Sequence, residues 1–302
     1  MKTLFKNCDI VTTTDSGFEV IRNGFCGVDG AYICYLGTDK PAEKYDIIKD
    51  MTGRVLYPGL INAHNHAAMT LLRGIGSDLP LKEWLYDNMF PTEGKLRTED
   101  VKAGTELAIL EMLSTGTVSF SDMYYFCDTT ADCVIESGMK ANLCRALSAF
   151  DPNEAYEDSY RVKEALYLYN SYNNAANGRI KIDLSIHAEY TCLEDIVRRH
   201  SEKCKELGAI MHIHLSETKS EHDACIEKYG KTPAQILLRF LIQKGIAVIP
   251  KSTDPAHIRE NFDLFDFSLA SEEMARLTAL DGRAPLIGKP ETPELVEFSL
   301  TW

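Results

Sequence analysis

Leu56-Tyr57-Pro58-Gly59-Leu60-Ile61-Asn62-Ala63-His64-Asn65-His66 is the stretch that decides how this chain is read. It is an apolar run ending in His-x-His, and on a strand residues i and i+2 share a face. His64 and His66 then aim two imidazoles at one point, which a divalent cation can occupy. Taken alone, the pair is equally compatible with a strand end carrying two ordinary histidines. A second pair lies in Ile210-Met211-His212-Ile213-His214-Leu215-Ser216-Glu217. In a parallel barrel the C-terminal strand ends open on one rim, where sites are built. His64 and His66 from the first barrel strand and His214 from the fifth can converge there. Three imidazoles and a water make a catalytic zinc geometry, and such a metal lowers the pKa of its water to about 7. Glu217, three residues beyond His214, is placed to shuttle that water's proton. His212 is expected to be a buried, hydrogen-bonded core histidine instead.

Outward from this stretch the chain changes rhythm. Upstream, short strand-like runs (4–5, 9–11, 18–21 and 31–36) are separated by turn signals such as Arg22-Asn23-Gly24 and Val28-Asp29-Gly30. They imply a small antiparallel sheet, a partial N-terminal β-sandwich over 1–56. Downstream, candidate strands at 59–64, 117–122, 141–147, 180–187 and 210–215 alternate with candidate helices at 98–114, 161–172, 193–207 and 221–229. That alternation implies a parallel sheet, and at this length an α/β fold of the (β/α) TIM-barrel type over 57–302.

Bulk properties narrow the function. The 302 residues are 45% hydrophobic and 25% charged, an ordinary globular composition. No apolar run approaches the ~20 residues that span a bilayer, and Lys6, Asn7 and Asp9 break any signal-peptide core. The nine cysteines form no Cys-x-x-Cys pair, which favours reduced thiols and a cytoplasmic location. A net charge of −13 opposes binding to nucleic acid or an anionic membrane. The expected partner is a small molecule, with an oligomer left open.

Residues 1 to about 231 resemble the amidohydrolase superfamily, specifically the methylthioadenosine/S-adenosylhomocysteine deaminases and related chlorohydrolases. The likeness is carried by the run 55–66, by Met69-Thr70-Leu71-Leu72-Arg73-Gly74, Leu79-Pro80-Leu81-Lys82-Glu83-Trp84-Leu85 and Phe90-Pro91-Thr92-Glu93, and by Ser121-Asp122-Met123-Tyr124 and 213–218. The resemblance implies His64, His66 and His214 as ligands to zinc or another divalent transition metal, and Glu217 as the proton-transfer carboxylate. It also implies Glu93 on the ribose hydroxyls, Trp84 beside the nucleoside, His187 near the substrate, and Arg145 as a substrate contact. The implied chemistry is attack of metal-bound hydroxide on the purine carbon bearing the amino group, releasing ammonia from methylthioadenosine, S-adenosylhomocysteine or adenosine.

The same pattern requires a sixth strand with a His-Cys-x-His-like run and an eighth ending in a metal-touching Asp. Neither is present; the one Gly-Thr-Asp, at 37–39, precedes the barrel. From about residue 229 the chain resembles the aldo-keto reductases, through Lys228-Tyr229-Gly230-Lys231-Thr232-Pro233, Gly245-Ile246-Ala247-Val248-Ile249-Pro250-Lys251-Ser252 and Ile258-Arg259-Glu260-Asn261-Phe262-Asp263. That likeness implies Lys251, Ser252 and Asn261 as contacts to an NADP phosphate or adenine, with His257 where the usual arginine for the 2′-phosphate would stand, and a closing helix-strand-helix-strand segment. The reductase's catalytic residues belong to earlier strands, which here are amidohydrolase-like, so no hydride-transfer site can be assembled. The expectation is a chimeric barrel with an incomplete strand count, impaired as a deaminase or reduced to a non-catalytic remnant that binds metal. Asp263 or Asp266 would replace the missing ligand only if an eighth strand aimed one at the cation; each is otherwise a surface or packing carboxylate.

Overall fold

The computed structural model describes residues 1–14, 17–215, 217, 219–245 and 254–280. They form two compact units that divide after Leu60. In the first, β1 (Lys2–Thr14), β2 (Gly17–Asp29), β3 (Tyr32–Gly37), β4 (Ile47–Asp50) and β5 (Val55–Leu56) make one sheet in the order β3-β2-β1-β4, with β5 also on β1. Leu4, Cys8 and Ile10 alternate inward along β1, the period of a half-buried strand, and meet Cys26 of β2.

Two expectations need correction in this unit. The sheet is mixed, not antiparallel, because β4 and β5 return along the far edge of β1 in its own direction. The Arg22-Asn23-Gly24 signal is no turn; it lies within β2, opposite irregular register around Cys8. Asn7 and Asn23 take φ of 60° and 49° there, and the Asp9 carboxylate accepts the Asn23 N–H at 3.1 Å. Asparagine tolerates this left-handed backbone, so two facing asparagines make a bulge in a continuous ribbon. The signal at Asp29-Gly30 does turn the chain, with Gly30 at φ 58°.

In the second unit, β6 (Leu60–Asn65), β7 (Thr117–Tyr124), β8 (Lys140–Arg145) and β9 (Ile180–Ile182) lie side by side in that order, and β10 (Leu184–Ala188) pairs with β11 (Met211–His214). The β7–β8, β8–β9 and β10–β11 pairs are parallel. Only Asp183 separates β9 from β10, and its N–H stays bonded to Leu143 of β8. Between the strands run α1 (Leu81–Glu83), α2 (Phe90–Glu93), α3 (Thr98–Ser114), α4 (Cys127–Ser137), α5 (Tyr160–Tyr172), α6 (Ala175–Gly178) and α7 (Glu194–Leu207). Phe120, Leu143, Ile180 and Ile182 on the strands pack against Ile109 and Met112 of α3, Val134 of α4 and Leu168 of α5. These strand residues alternate onto one face of the sheet, which the helices cover. The five strand positions expected up to residue 215 are all occupied.

Beyond β11 come α8 (Lys219–Tyr229), α9 (Pro233–Gln243), α10 (Pro255–Phe262) and α11 (Ser271–Leu280). Thr232 and Gln235 cap α9 reciprocally, each side chain accepting the other's N–H. Part of the expected closing segment, 246–253 with Lys251 and Ser252, lies outside the described residues. The other expected strand, at 263–267, is absent: that stretch is irregular, because Lys231 gathers the carboxylates of Asp263 and Asp266 and sits over the Phe267 ring. Among the described residues the strands do not close into a barrel. No described helix is long and apolar enough to cross a membrane.

Candidate metal centre

The end of β6 and the end of β11 bring three imidazoles together. The His64 ring lies 5.2 Å from that of His66 and 5.2 Å from that of His214, and His66 and His214 are 5.3 Å apart. One ring nitrogen from each falls within 4.8 Å of the others, a spacing at which one cation can be shared. His212, two residues before His214, turns elsewhere: its Nε2 lies 3.2 Å from the Asp183 carboxylate, which also accepts from Asn142 and from the Ile210 N–H. It is hydrogen-bonded, as expected, but half-buried rather than buried.

The donor set has the chemistry of a cation site. The Nδ1 of His66 is 2.7 Å from the Met123 carbonyl, and because a carbonyl only accepts, the proton is on Nδ1 and the Nε2 lone pair is free. Burial, then the neighbouring His214 and His64, push the His66 pKa down to about 4. Burial lowers His214 too, with His64 adding to it and Glu217 opposing. Imidazoles held neutral at pH 7 are what a metal needs as ligands.

A small cavity opens on this cluster. Its walls include His66 and His214, and also Trp84, Glu93, His187 and Glu217. Trp84, Glu93, His187 and Glu217 therefore line the same space as two of the expected ligands, whereas Arg145 does not. The His187 ring is 5.3 Å from that of His214. Its Nδ1 is buried without a hydrogen-bond partner, and burial brings its pKa down to about 4. Such an orphaned buried nitrogen is costly unless something bonds to it. Trp84 begins a wide π turn (Trp84–Met89) leading into α2, a local widening frequent at functional sites. Its indole N–H donates to the Ile75 carbonyl at 3.2 Å.

Both carboxylates are held by tyrosines that the sequence did not single out for this role. Tyr124 donates to Glu93 at 2.7 Å and Tyr190 donates to Glu217 at 3.0 Å. Burial raises the Glu93 pKa, with the Tyr124 bond opposing. Tyr124 sits in the Ser-Asp-Met-Tyr run, which was the only available signal; nothing marked Tyr190. A second cavity, of about 560 Å³, shares Phe90, Glu93 and Tyr125 with the first and carries Arg145. Arg145 donates to Glu164 at 2.8 Å and stacks over Tyr125. Asn261 lies on α10 and lines neither cavity. The cation cluster contains no carboxylate among the described residues.

Comparison with known proteins gives three results. The amidohydrolase family pattern matches residues 55–252. A 5-methylthioadenosine/S-adenosylhomocysteine deaminase of Acetivibrio thermocellus is 39% identical over 239 residues, covering 78% of this chain and 54% of that protein. A 5′-deoxyadenosine deaminase of Methanosarcina barkeri is 40% identical over 227 residues, 75% of this chain and 52% of that protein. Among solved structures, an adenosine deaminase from Xanthomonas campestris with bound zinc superposes with a TM-score of 0.64 at 25% identity, covering 91% of this chain and 67% of that one. The chain thus spans about half the length of the curated relatives it matches.

Proposed function

The chain belongs to the amidohydrolase family, and on that premise we propose that it is a zinc-dependent hydrolase of the nucleoside-deaminase type. Its substrate would be the adenine ring of methylthioadenosine, S-adenosylhomocysteine or adenosine. One observation carries the proposal: His64, His66 and His214 present mutually close ring nitrogens at the cavity that Trp84, Glu93, His187 and Glu217 also line. His64, His66 and His214 would hold the cation, which when bound supplies Lewis acidity and lowers the pKa of water to about 7.

The chain's own residues then divide the remaining work. Glu217 Oε1 and Oε2 are the proton carrier, taking a proton from water and returning it to the purine, with Tyr190 fixing the carboxylate's direction. The unpartnered Nδ1 of His187 bonds a polar atom of the ring. Glu93, kept in place by Tyr124, receives the ribose hydroxyls. Trp84 walls the base, and Arg145 contacts whatever the sugar carries into the larger cavity. A small nucleoside-like partner in the cytoplasm accords with the negative charge and scattered cysteines of the chain.

A metal-binding but non-catalytic barrel is the alternative. It is favoured by the absence of a carboxylate from the cation cluster among the described residues, and by the engagement of Asp263 and Asp266 with Lys231. Loss of one preorganised group typically costs ~10²–10³ in rate. The amidohydrolase family match runs to residue 252, across the join expected near 229–231, and so does not support a separate reductase-like segment beginning there. The test is zinc content together with ammonia release from the three candidate substrates, using His64→Ala and His214→Ala as controls. Stoichiometric zinc with turnover, both lost in the variants, is expected. Zinc without turnover establishes the non-catalytic alternative, and no zinc overturns both.

A further inference from the structure

We propose that Asp122 is the positioning residue that sets how tightly this chain holds its cation, by pinning the backbone that follows His66. The inference rests on the metal-centre proposal and adds a residue that touches neither cation nor substrate. His66 immediately precedes a 3-10 helix (Ala67–Leu72) and makes no side-chain cap to it. The first N–H of that helix, on Ala67, is fully buried and out of reach of water. Asp122 of β7 supplies the missing acceptor: its Oδ1 takes the Ala67 N–H at 2.6 Å.

The next residue on the same strand holds the imidazole itself, since the Met123 carbonyl takes the His66 ring N–H. Two consecutive residues of β7 thus fix both the ring of residue 66 and the peptide after it. From the other side, α3 presses the same helix. Thr70 Oγ1 donates to the Gly104 carbonyl at 2.6 Å, and a Cβ on Gly104 would stand only 2.4 Å from the Ala68 carbonyl oxygen. The His66 segment is clamped between β7 and α3, and Asp122 is the polar jaw of the clamp.

The position is an expensive one for an acid. Asp122 is 2% exposed, and burial pushes its carboxyl up to about 7. Removing the acceptor of a buried N–H destabilises the fold whatever else the residue does. Stability alone therefore does not separate a structural Asp122 from one that orients His66, whereas metal affinity and ligand geometry do. Outer residues that orient metal ligands typically change affinity by about 10–100-fold when lost.

The experiment compares wild type, Asp122→Leu and Asp122→Asn by zinc competition against a chromophoric chelator. Visible spectra of the cobalt-loaded proteins and thermal unfolding in excess chelator accompany it. Asn keeps a carbonyl oxygen for Ala67, so its affinity and cobalt spectrum should stay close to wild type. Asp122→Leu should unfold earlier than wild type without metal, bind zinc about 10–100-fold more weakly and show an altered cobalt spectrum. Should Leu fail to fold, Asp122→Ala takes its place with the same expected order. Wild-type affinity and spectrum in a folded variant lacking the acceptor overturn the proposal, as does an Asn variant as weak as Leu. A wild type that binds no metal overturns the metal centre beneath it and is seen before any variant is compared.

Discussion

The two His-x-His runs end alike in sequence and differently in space. His64 and His66 both join the cation cluster, whereas His212 and His214 part: His214 joins it and His212 bonds to Asp183. The same spacing on a strand therefore yields a metal face in one place and a single ligand plus a structural pair in the other. Neighbours decide which. At β6 the Met123 carbonyl orients His66 toward its partners. At β11 a buried carboxylate, already bonded to Asn142 and the Ile210 N–H, draws His212 away.

Substitution should separate the two roles. His64→Ala or His66→Ala should abolish stoichiometric zinc and cut any deaminase rate by at least ~10². His212→Ala should leave zinc bound, as metal analysis of dialysed protein would show. Loss of zinc from His212→Ala would break the distinction. Asp183→Ala, by contrast, should act on the fold. It removes the acceptor for three part-buried donors at once, each left unpaired at a cost of about 1–3 kcal/mol, read from denaturant midpoints with zinc stoichiometry preserved. Burial alone would raise the Asp183 pKa, but the bonds from His212, Ile210 and Asn142 hold it below the ordinary value. Its stabilising contribution is therefore present above the usual carboxylate pKa of about 3.9 and lost as pH falls below it.

How much of this was legible follows the same line. The strand ends that carry His64, His66 and His214 could be read because alternation and spacing are properties of the chain itself. The partners that orient them could not, because a main-chain carbonyl at Met123 leaves no trace in a sequence and Tyr190 reaches Glu217 only through the fold. The wide turn at Trp84–Met89 is likewise invisible to a 3.6-residue pattern. The alternating Phe-Asp-Leu-Phe-Asp-Phe run at 262–267 reads as a strand, and a single lysine overrides it: Lys231 is bonded to both carboxylates. Local propensity yields to a desolvated charge that must be paired.

A third histidine outside the cluster sharpens the contrast in pH. His200 is fully buried, bonded through Nδ1 to the Tyr156 hydroxyl at 2.9 Å, and burial brings its pKa down to about 4. Folding keeps it neutral, so the unfolded chain binds the extra proton between pH 6.5 and about 4. Its contribution is complete above pH 6.5 and is lost on acidification, by roughly 3 kcal/mol at most. Urea midpoints from pH 7 to pH 4.5 should fall for wild type and fall less for His200→Gln; parallel slopes would contradict this. The smallest expected effect is at Tyr190. Phe there removes one hydrogen bond to Glu217, worth about 1 kcal/mol, so kcat should drop about fivefold with KM and zinc content unchanged. A rise in KM alone would place Tyr190 on the substrate instead.

The most direct test of the centre is X-ray absorption at the zinc edge of the loaded protein, wild type beside His212→Ala and His214→Ala. The expected result is about three imidazole nitrogens at ~2.0–2.1 Å in wild type, the same shell in His212→Ala, and its loss in His214→Ala. A shell without histidine, or one that survives removal of His214, would contradict it.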